Sequence, residues 1–422
     1  MHRSSSRSLA VLAVTGLLAA VAGCSADEAN TPTTLPATSA PVARVDDGIL
    51  TIGVLTPQGS ANADIGQAIG AAVELATDKI NDAGGYGDKD VVLVNADEGV
   101  AGIGIDPAIA KLLESGVDAI IGPASSTNAL AGLGEIIDAG VVACSPTASA
   151  SLLDDFPDRN LFFRTIPSDS LEAMAIAVAV DRTGASRATI AYIDDAYGQS
   201  FVDSVEAALR AKDIEPTQAV PYSADNVSIS EAAQEIARTT VGVVVVIGDA
   251  TSGPVMLAEI DRNETAVRPV YVVNDAMRRP TASAEPMGGS LARRVTGVSP
   301  VAYSTNQEFL AELGDTPDNP SPFAANAFDC VNLIALAALA SNSTQPAAIA
   351  AQIPTVSSSG SPCMTFAGCR TVIDAGNNIN YEGPDGSLTI GTDGELSEAE
   401  FELFGFDDTG KDYKKDTVGV PG

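Results

Sequence analysis

VDAIIGPASSTNALAGLGEIIDAGVVACSPTASAS, residues 117–151, decides how the rest of the chain is read. An apolar β-branched run over 117–121 predicts a buried strand. The turn Gly122-Pro123-Ala124-Ser125-Ser126-Thr127 follows, then a small-residue helix over 128–139. A second apolar strand over 141–144 ends in another hydroxyl-rich turn, Ser145-Pro146-Thr147-Ala148-Ser149. In an open α/β sheet, ligands bind outside the carboxyl ends of the strands. Helix starts there offer unpaired N–H groups and the positive end of the helix dipole. Two such turns side by side are therefore expected to hold a carboxylate.

The same rhythm extends outward. A buried strand over 50–56 precedes a helix over 65–83 that stops at Gly84-Gly85, where glycine supplies the left-handed C-terminal conformation. A second strand lies over 91–95 and a second helix over 107–115. After 160–165, which reads as a crossing, strands over 188–193, 217–222, 242–247 and 269–273 alternate with helices over 200–211, 230–238 and 254–261. Ser168 with the acidic turn Asp169 to Glu172 reads as a helix start. Residues 295–302 read as a crossing back, followed by helices over 306–313 and 324–339. Residues 379–405 read as strands separated by Gly/Asp turns, a third crossing and the edge of the second lobe. Alternating strands and helices mean parallel βαβ units covered on both faces. The Gly-rich turns lack dinucleotide-loop spacing, and the acidic turns near 385–395 lack calcium-loop spacing.

At 422 residues the chain exceeds one ordinary core, so two lobes are expected. The formal charge of −32 argues against nucleic acid, which needs a basic face. His2, Arg3 and Arg7 lead into LAVLAVTGLLAAV, an apolar run of 13 residues, too short to span a bilayer but suited to a signal-peptide core. It ends at Val21-Ala22-Gly23-Cys24, which resembles the lipobox of bacterial lipoproteins, so Cys24 is the expected lipidation site. Residues 25–47 are rich in Thr, Pro, Ala and Ser and read as a tether. Cleavage removes Arg3 and Arg7, taking the formal charge from −32 to −34, and also removes His2, the one histidine. Ser-His-Asp and Cys-His nucleophiles and His-based zinc sites are thereby excluded. Cys363 and Cys369 bracket a five-residue loop and are expected to form a disulfide at this oxidising address. Cys144 and Cys330 stand in apolar contexts, as buried thiols or as a second bond.

Several pieces, taken in order, carry a resemblance: Ile52-Gly53-Val54-Leu55-Thr56-Pro57, Ile80-Asn81-Asp82-Ala83-Gly84-Gly85, Ile121-Gly122-Pro123, and Ser145-Pro146-Thr147-Ala148-Ser149. Phe163-Arg164-Thr165-Ile166-Pro167-Ser168-Asp169, Asp194-Asp195-Ala196-Tyr197-Gly198, Ala325-Asn326-Ala327-Phe328-Asp329 and Tyr381-Glu382-Gly383-Pro384 continue it. Over nearly all of 50–406 the chain resembles the leucine/isoleucine/valine-binding type of ABC-importer substrate-binding protein. That resemblance implies an α/β fold of type I periplasmic binding protein kind, two doubly wound parallel-sheet lobes joined by a three-crossing hinge. The expected division is 1–23 signal peptide, 24–47 lipidated cysteine and tether, 48–166 plus 303–378 N-terminal lobe, and 167–302 plus 379–422 C-terminal lobe.

The resemblance also implies site residues. Ser126 matches a serine that meets the ligand carboxylate, Thr147 a position offering backbone groups, and Ser149 one offering a hydroxyl. Tyr197 matches a cleft tyrosine and Asp275 an acid that receives the ligand ammonium. The sequence departs from the pattern near Gly248-Asp249-Ala250-Thr251. Ala250 stands where the family usually has an aromatic, and Asp249 adds a second acid; Ile65 replaces another frequent aromatic. The expectation is a lipid-anchored extracytoplasmic monomer that binds a small polar solute, an amino acid or related amide, by lobe closure. It needs no metal or cofactor, performs no catalysis and hands its solute to a membrane ABC permease. The alternative is a sensory module acting on a separate signalling protein.

Overall fold

Two sheets, each turning back on itself once, place every expected site residue at the carboxyl end of a strand. The computed structural model describes residues 46–59, 62–100, 103–239, 242–263, 268–278, 289–316 and 321–422. All fall within one compact unit, Pro41–Gly422. The expected signal peptide, Cys24 and most of the tether lie outside the described residues.

The first sheet contains β1 (Thr51–Thr56), β2 (Val92–Asp97), β3 (Ala119–Ile121), β4 (Val142–Ser145) and β5 (Phe162–Arg164) in the order β2-β1-β3-β4-β5. Each neighbouring pair is parallel, with Ile52 opposite Ala119 and Ile121 opposite Cys144. Helices α1 (Ala63–Asp82), α2 (Asp106–Glu114) and α3 (Ser126–Asp138) fill the connections. β1, β3 and β4 are apolar and almost wholly buried, as strands covered on both faces must be. Gly122 ends β3 at φ +113, and a Cβ there would lie 2.2 Å from the Leu55 carbonyl oxygen, so only glycine fits.

The second sheet contains β6 (Arg187–Ile193), β7 (Glu215–Tyr222), β8 (Val243–Ile247), β9 (Val270–Val273) and β10 (Val295–Pro300). Helices α4 (Asp169–Asp181), α5 (Ala196–Ala211), α6 (Asn226–Thr239), α7 (Ser252–Arg262) and α8 (Gly289–Ala292) belong to this half. The chain returns through α9 (Gln307–Leu313), α10 (Ala324–Ser341), α11 (Pro346–Val356), β11 (Ser361–Cys363), α12 (Phe366–Asp374), β12 (Ile379–Gly383) and β13 (Gly386–Ser387). It ends in β14 (Glu398–Phe406) and β15 (Asp412–Pro421), which join β10 antiparallel; the second sheet runs β15-β14-β10-β9-β8-β6-β7. Strand order reverses between β1 and β3 in one sheet and between β6 and β8 in the other. Those reversals create the crevices in which α/β sheets bind ligands.

One boundary differs from expectation. Ile379, Tyr381, Leu388, Ile390 and Leu396 pack into the first apolar core, whereas Ala399, Phe401 and Leu403 join the second. The reason is local: β12 pairs with β11 and β13 rather than with the second sheet, and the Tyr381 hydroxyl donates to buried Asp329 of α10 at 2.8 Å. The third crossing therefore falls near 397–398, and residues 379–396 belong with the first lobe. The first crossing is tied down reciprocally: Thr165 Oγ1 donates to the Asn326 carbonyl at 2.9 Å and Asn326 Nδ2 to the Thr165 carbonyl at 2.6 Å.

α10 is long and apolar enough to cross a membrane by length and composition, but 78% of it is buried, packed against α1, α11 and β3 among others, so it is a core helix. Cys363 and Cys369 are disulfide-bonded, as the spacing predicts, and Cys144 is bonded to Cys330. The latter closes a sequence separation of 186 residues and fastens β4 to α10.

Candidate functional site

In the first lobe, β3 and β4 deliver their turns side by side, and Ser126 joins them. Its Oγ accepts the peptide N–H groups of Ser149 (3.1 Å) and Ala150 (3.2 Å), which leaves the hydroxyl proton to donate elsewhere. The helix cap is its neighbour Ser125, whose side chain accepts the Asn128 N–H at 3.4 Å. Thr147 turns its hydroxyl back onto the Ala124 carbonyl at 2.8 Å, so only its backbone faces outward duty. Its N–H makes just a long 3.4 Å contact with Ser145 Oγ. Ser149 is half-buried beside the chain entering the second lobe, and its carbonyl accepts the Asp169 N–H at 2.8 Å.

The expectation of free N–H groups in the turn before α3 needs correcting. Glu98, buried to 1% exposure, takes the Ala124 N–H at 2.7 Å and the Ser125 N–H at 3.2 Å with its own carboxylate. Burial pushes the Glu98 carboxyl up to about 7, against those two N–H groups, which favour its charged form. Those two N–H groups of the turn are thus filled from within the protein, while among the described contacts Glu98 takes no backbone N–H from α3 itself.

In the second lobe, β6, β8 and β9 end close together. Asn274, fully buried, clamps the β8 end: Nδ2 donates to the Gly248 carbonyl at 3.1 Å while Oδ1 accepts the Gly248 N–H at 3.0 Å. The same Nδ2 donates to the Tyr197 hydroxyl at 3.0 Å. Tyr197 stacks edge-on against Phe201 at 5.7 Å, and its hydroxyl stays un-ionised because of burial and the charges of Asp169, Asp275 and Glu172. Asp275 follows Asn274 directly. Its carboxylate accepts the Ala276 N–H at 2.6 Å, and burial raises it to about 6. Arg278 does not neutralise it by contact, because its guanidinium is paired with Glu402 at 2.8 Å and Asp412 at 2.9 Å.

Two further acids complete this group, and both were read from sequence as an ordinary acidic helix start. Asp169 and Glu172 open α4, three apart and therefore on one helix face, and each is only 1% exposed. Neither Asp169 oxygen accepts a hydrogen bond of ordinary geometry, although the Ser149 hydroxyl lies near enough to favour the charged form. Burial, then the charge of Asp275, pushes the Asp169 carboxyl up to about 7. Glu172 Oε1 accepts the Asp275 N–H at 3.0 Å while Oε2 is unpartnered, and burial with both neighbouring acids holds Glu172 well above the usual range. A signal was present: LEAMAIAVAV is apolar on all sides, and a helix of that kind is buried, which leaves its acids no water. Asp249 stands apart. Its carboxylate accepts the N–H groups of Thr251 and Ser252, the start of α7, and makes no described contact with the acid group.

Ser126, Thr147, Ser149, Tyr197 and Asp275 are thus gathered with Asp169 and Glu172 around the lobe junction: hydroxyl donors on one side, three carboxylates and a tyrosine on the other. A cavity of about 630 Å3 lies across the crossings, lined by Thr165, Pro167, Asp329, Asp385 and Leu396 among others. None of the expected site residues lines it, so it belongs to the hinge. Among the described residues, no group of His, Cys, Asp and Glu is placed to hold a metal ion.

Residues 49–392 match the periplasmic binding protein family. The chain belongs to that family. This periplasmic binding protein is 29% identical over 358 residues to the chemotactic signal transduction system substrate-binding protein BasB of Halobacterium salinarum, covering 81% of this chain and 83% of BasB. Its fold is similar to that of an ABC transporter substrate-binding protein from Desulfitobacterium hafniense in complex with Leu, with a TM-score of 0.64 and 21% identity over 87% of this chain and 99% of the other. It is equally similar to a solute-binding protein from R. palustris in complex with benzoate, at a TM-score of 0.64 and 16% identity over 89% and 98%. The type I fold, the solute-binding role and the extracytoplasmic setting follow from membership, and the family's members bind solutes rather than transform them. One neighbour holds an ammonium-bearing ligand and the other does not, so the fold alone does not choose the ligand.

Proposed function

We propose that this periplasmic binding protein is the receptor of an ABC importer and captures an amino acid between its lobes. Ser126 and Ser149 hydroxyls with the Thr147 N–H receive the carboxylate; Asp169, Asp275 and the Tyr197 hydroxyl receive the ammonium. The observation that carries this reading is the buried carboxylate of Asp169, neither oxygen of which accepts a hydrogen bond of ordinary geometry and whose one polar side-chain neighbour given is the Ser149 hydroxyl. An ionised group in that position lacks the hydrogen bonds that would offset its desolvation, and an ammonium supplies them. Only the closed lobes bring both sets of groups to one ligand, so binding favours closure.

The test compares amino acids with the same molecules lacking the amino group. A ligand at a hundred times its dissociation constant raises stability by about 2.7 kcal/mol. At least one amino acid is expected to raise the melting temperature while its deaminated counterpart does not. Equal shifts from both would remove the ammonium from the account.

The protein is further proposed to be held at the membrane by lipid on Cys24, on the strength of the Val21-Ala22-Gly23-Cys24 motif. Palmitate-analogue labelling in cells is expected for the native chain and absent for Cys24→Ser; equal labelling of both contradicts it. The likeness to BasB supports a second reading, in which the liganded protein acts on a signalling partner. Capture of a permease by the liganded protein favours transport; capture of a transducer favours sensing.

A further inference from the structure

The acids at the lobe junction outnumber what one ammonium satisfies. Both oxygens of Asp169 and Oε2 of Glu172 are buried without a hydrogen-bond partner, in side chains each 1% exposed. The two arginines whose charge acts on the group are committed elsewhere: Arg164 to Asp154 and Glu395, Arg278 to Glu402 and Asp412. Across the junction the balance tips the same way. Two N–H groups of the turn before α3, those of Ala124 and Ser125, are taken by Glu98. That leaves hydroxyls and the remaining backbone N–H groups, without a cationic side chain among the described contacts, for a ligand carboxylate. Buried carboxylates must be met by protons or by cations; protons serve in the empty protein, and among the described residues no Lys or Arg pairs with these acids, so a bound cation would take the protons' place. The cation argued for is an organic nitrogen, the kind that the proposed amino-acid site already takes.

Resting on the reading of this junction as the solute site, we infer that the solute carries two cationic nitrogen centres, one met by Asp169 with Asp275 and the second by Glu172. The i, i+3 placement of Asp169 and Glu172 on one face of α4 presents their free oxygens together. Tyr197, with an un-ionised hydroxyl and an aromatic face, suits the same kind of group. A basic amino acid and a diamine share this chemistry. The first would also use Ser126 and Ser149; the second would leave them idle.

Calorimetric titration of the full chain with leucine, lysine, ornithine and putrescine tests this, with Glu172→Gln alongside. A dicationic solute is expected to bind at least tenfold tighter than leucine. Glu172→Gln, which removes the capacity to ionise while keeping the side-chain shape, is expected to weaken the dication about 10- to 100-fold and leucine by a clearly smaller factor. Lysine or ornithine ahead of putrescine assigns the carboxylate end as well; putrescine ahead assigns cation recognition alone. Leucine as tight as every dication, or dication affinity unchanged in a folded Glu172→Gln variant, overturns the inference. If leucine binds and no dication does, only this inference fails. If no compound with an ammonium binds, the amino-acid reading falls with it. The comparison of wild-type affinities stands even where the variant does not fold.

Discussion

Arg164→Met is expected to lower folding free energy by about 3–5 kcal/mol and to weaken solute binding with it. Arg164 has no exposed side-chain surface, yet every donor group is used. Nε donates to both Glu395 oxygens at 2.9 Å, Nη2 to Asp154 at 2.6 Å, and Nη1 to the carbonyls of Ala150 (3.1 Å) and, more loosely, Ala148 (3.4 Å). Methionine fills similar volume but leaves two largely buried carboxylates facing each other, and the carbonyls of Ala148 and Ala150 lose the guanidinium, although Ala150 keeps the Leu153 N–H. Breaking one side of a buried charge network costs more than the net worth of the network, because the stranded charges remain. The binding effect follows from what Asp154 does next. Its two oxygens accept the hydroxyls of Ser168 (2.7 Å) and Ser170 (2.6 Å), which hold the first turn of α4, and that turn carries Asp169 and Glu172. Urea unfolding checks the first effect: a loss below about 1 kcal/mol would mean that the network is already well solvated.

The fold was legible because each strand announces itself by an apolar run and each turn by glycine, proline or hydroxyls. The stretch over 117–151 reads as strand, turn, helix, strand and turn, and β3, α3 and β4 fall within a residue or two of those bounds. The chain between 340 and 378 was not legible. α11 carries Pro354 inside it, and α12 has Gly368 and the bridged Cys369 in its first turn, so neither shows a clean helical pattern. Topology pointed to the two hydroxyl-rich turns at the ends of β3 and β4, and the family resemblance singled out Ser126, Ser149, Tyr197 and Asp275. Positions whose role depends on burial did not stand out. Asp169 and Glu172 look like a helix start until α4 is seen to be enclosed. Glu98 looks like one acid in an acidic loop until the Ala124 and Ser125 N–H groups are found on it. Asp249 illustrates the converse: an acid at a strand end spent on capping α7.

Asp275→Asn is expected to weaken the best amino-acid ligand about 100-fold at pH 8, an interaction of the charge-assisted class lost from a desolvated site. The asparagine keeps the shape and the capacity to accept the Ala276 N–H but offers no charge to the ammonium. The same reasoning gives a pH dependence of fixed sign. Asp275 is raised to about 6 and Asp169 to about 7, so both take up protons as pH falls through that interval, and an ammonium then loses its counter-charges. Wild-type affinity should therefore fall between pH 8 and pH 5. Stability of the empty protein moves the opposite way. For Asp169, raised from 3.8 to about 7, the folded state holds the proton more tightly than the unfolded chain. Its contribution is present below about 4 and is lost as pH rises through 7.

The most direct measurement is a calorimetric titration of that amino acid into wild-type and Asp275→Asn protein at pH 8 and pH 5. The account predicts tight binding only for wild type at pH 8, a clear loss at pH 5, and a variant already weak at pH 8 with a smaller pH response. Equal affinity of wild type and variant at pH 8 would contradict the assignment of the ammonium to this acid group.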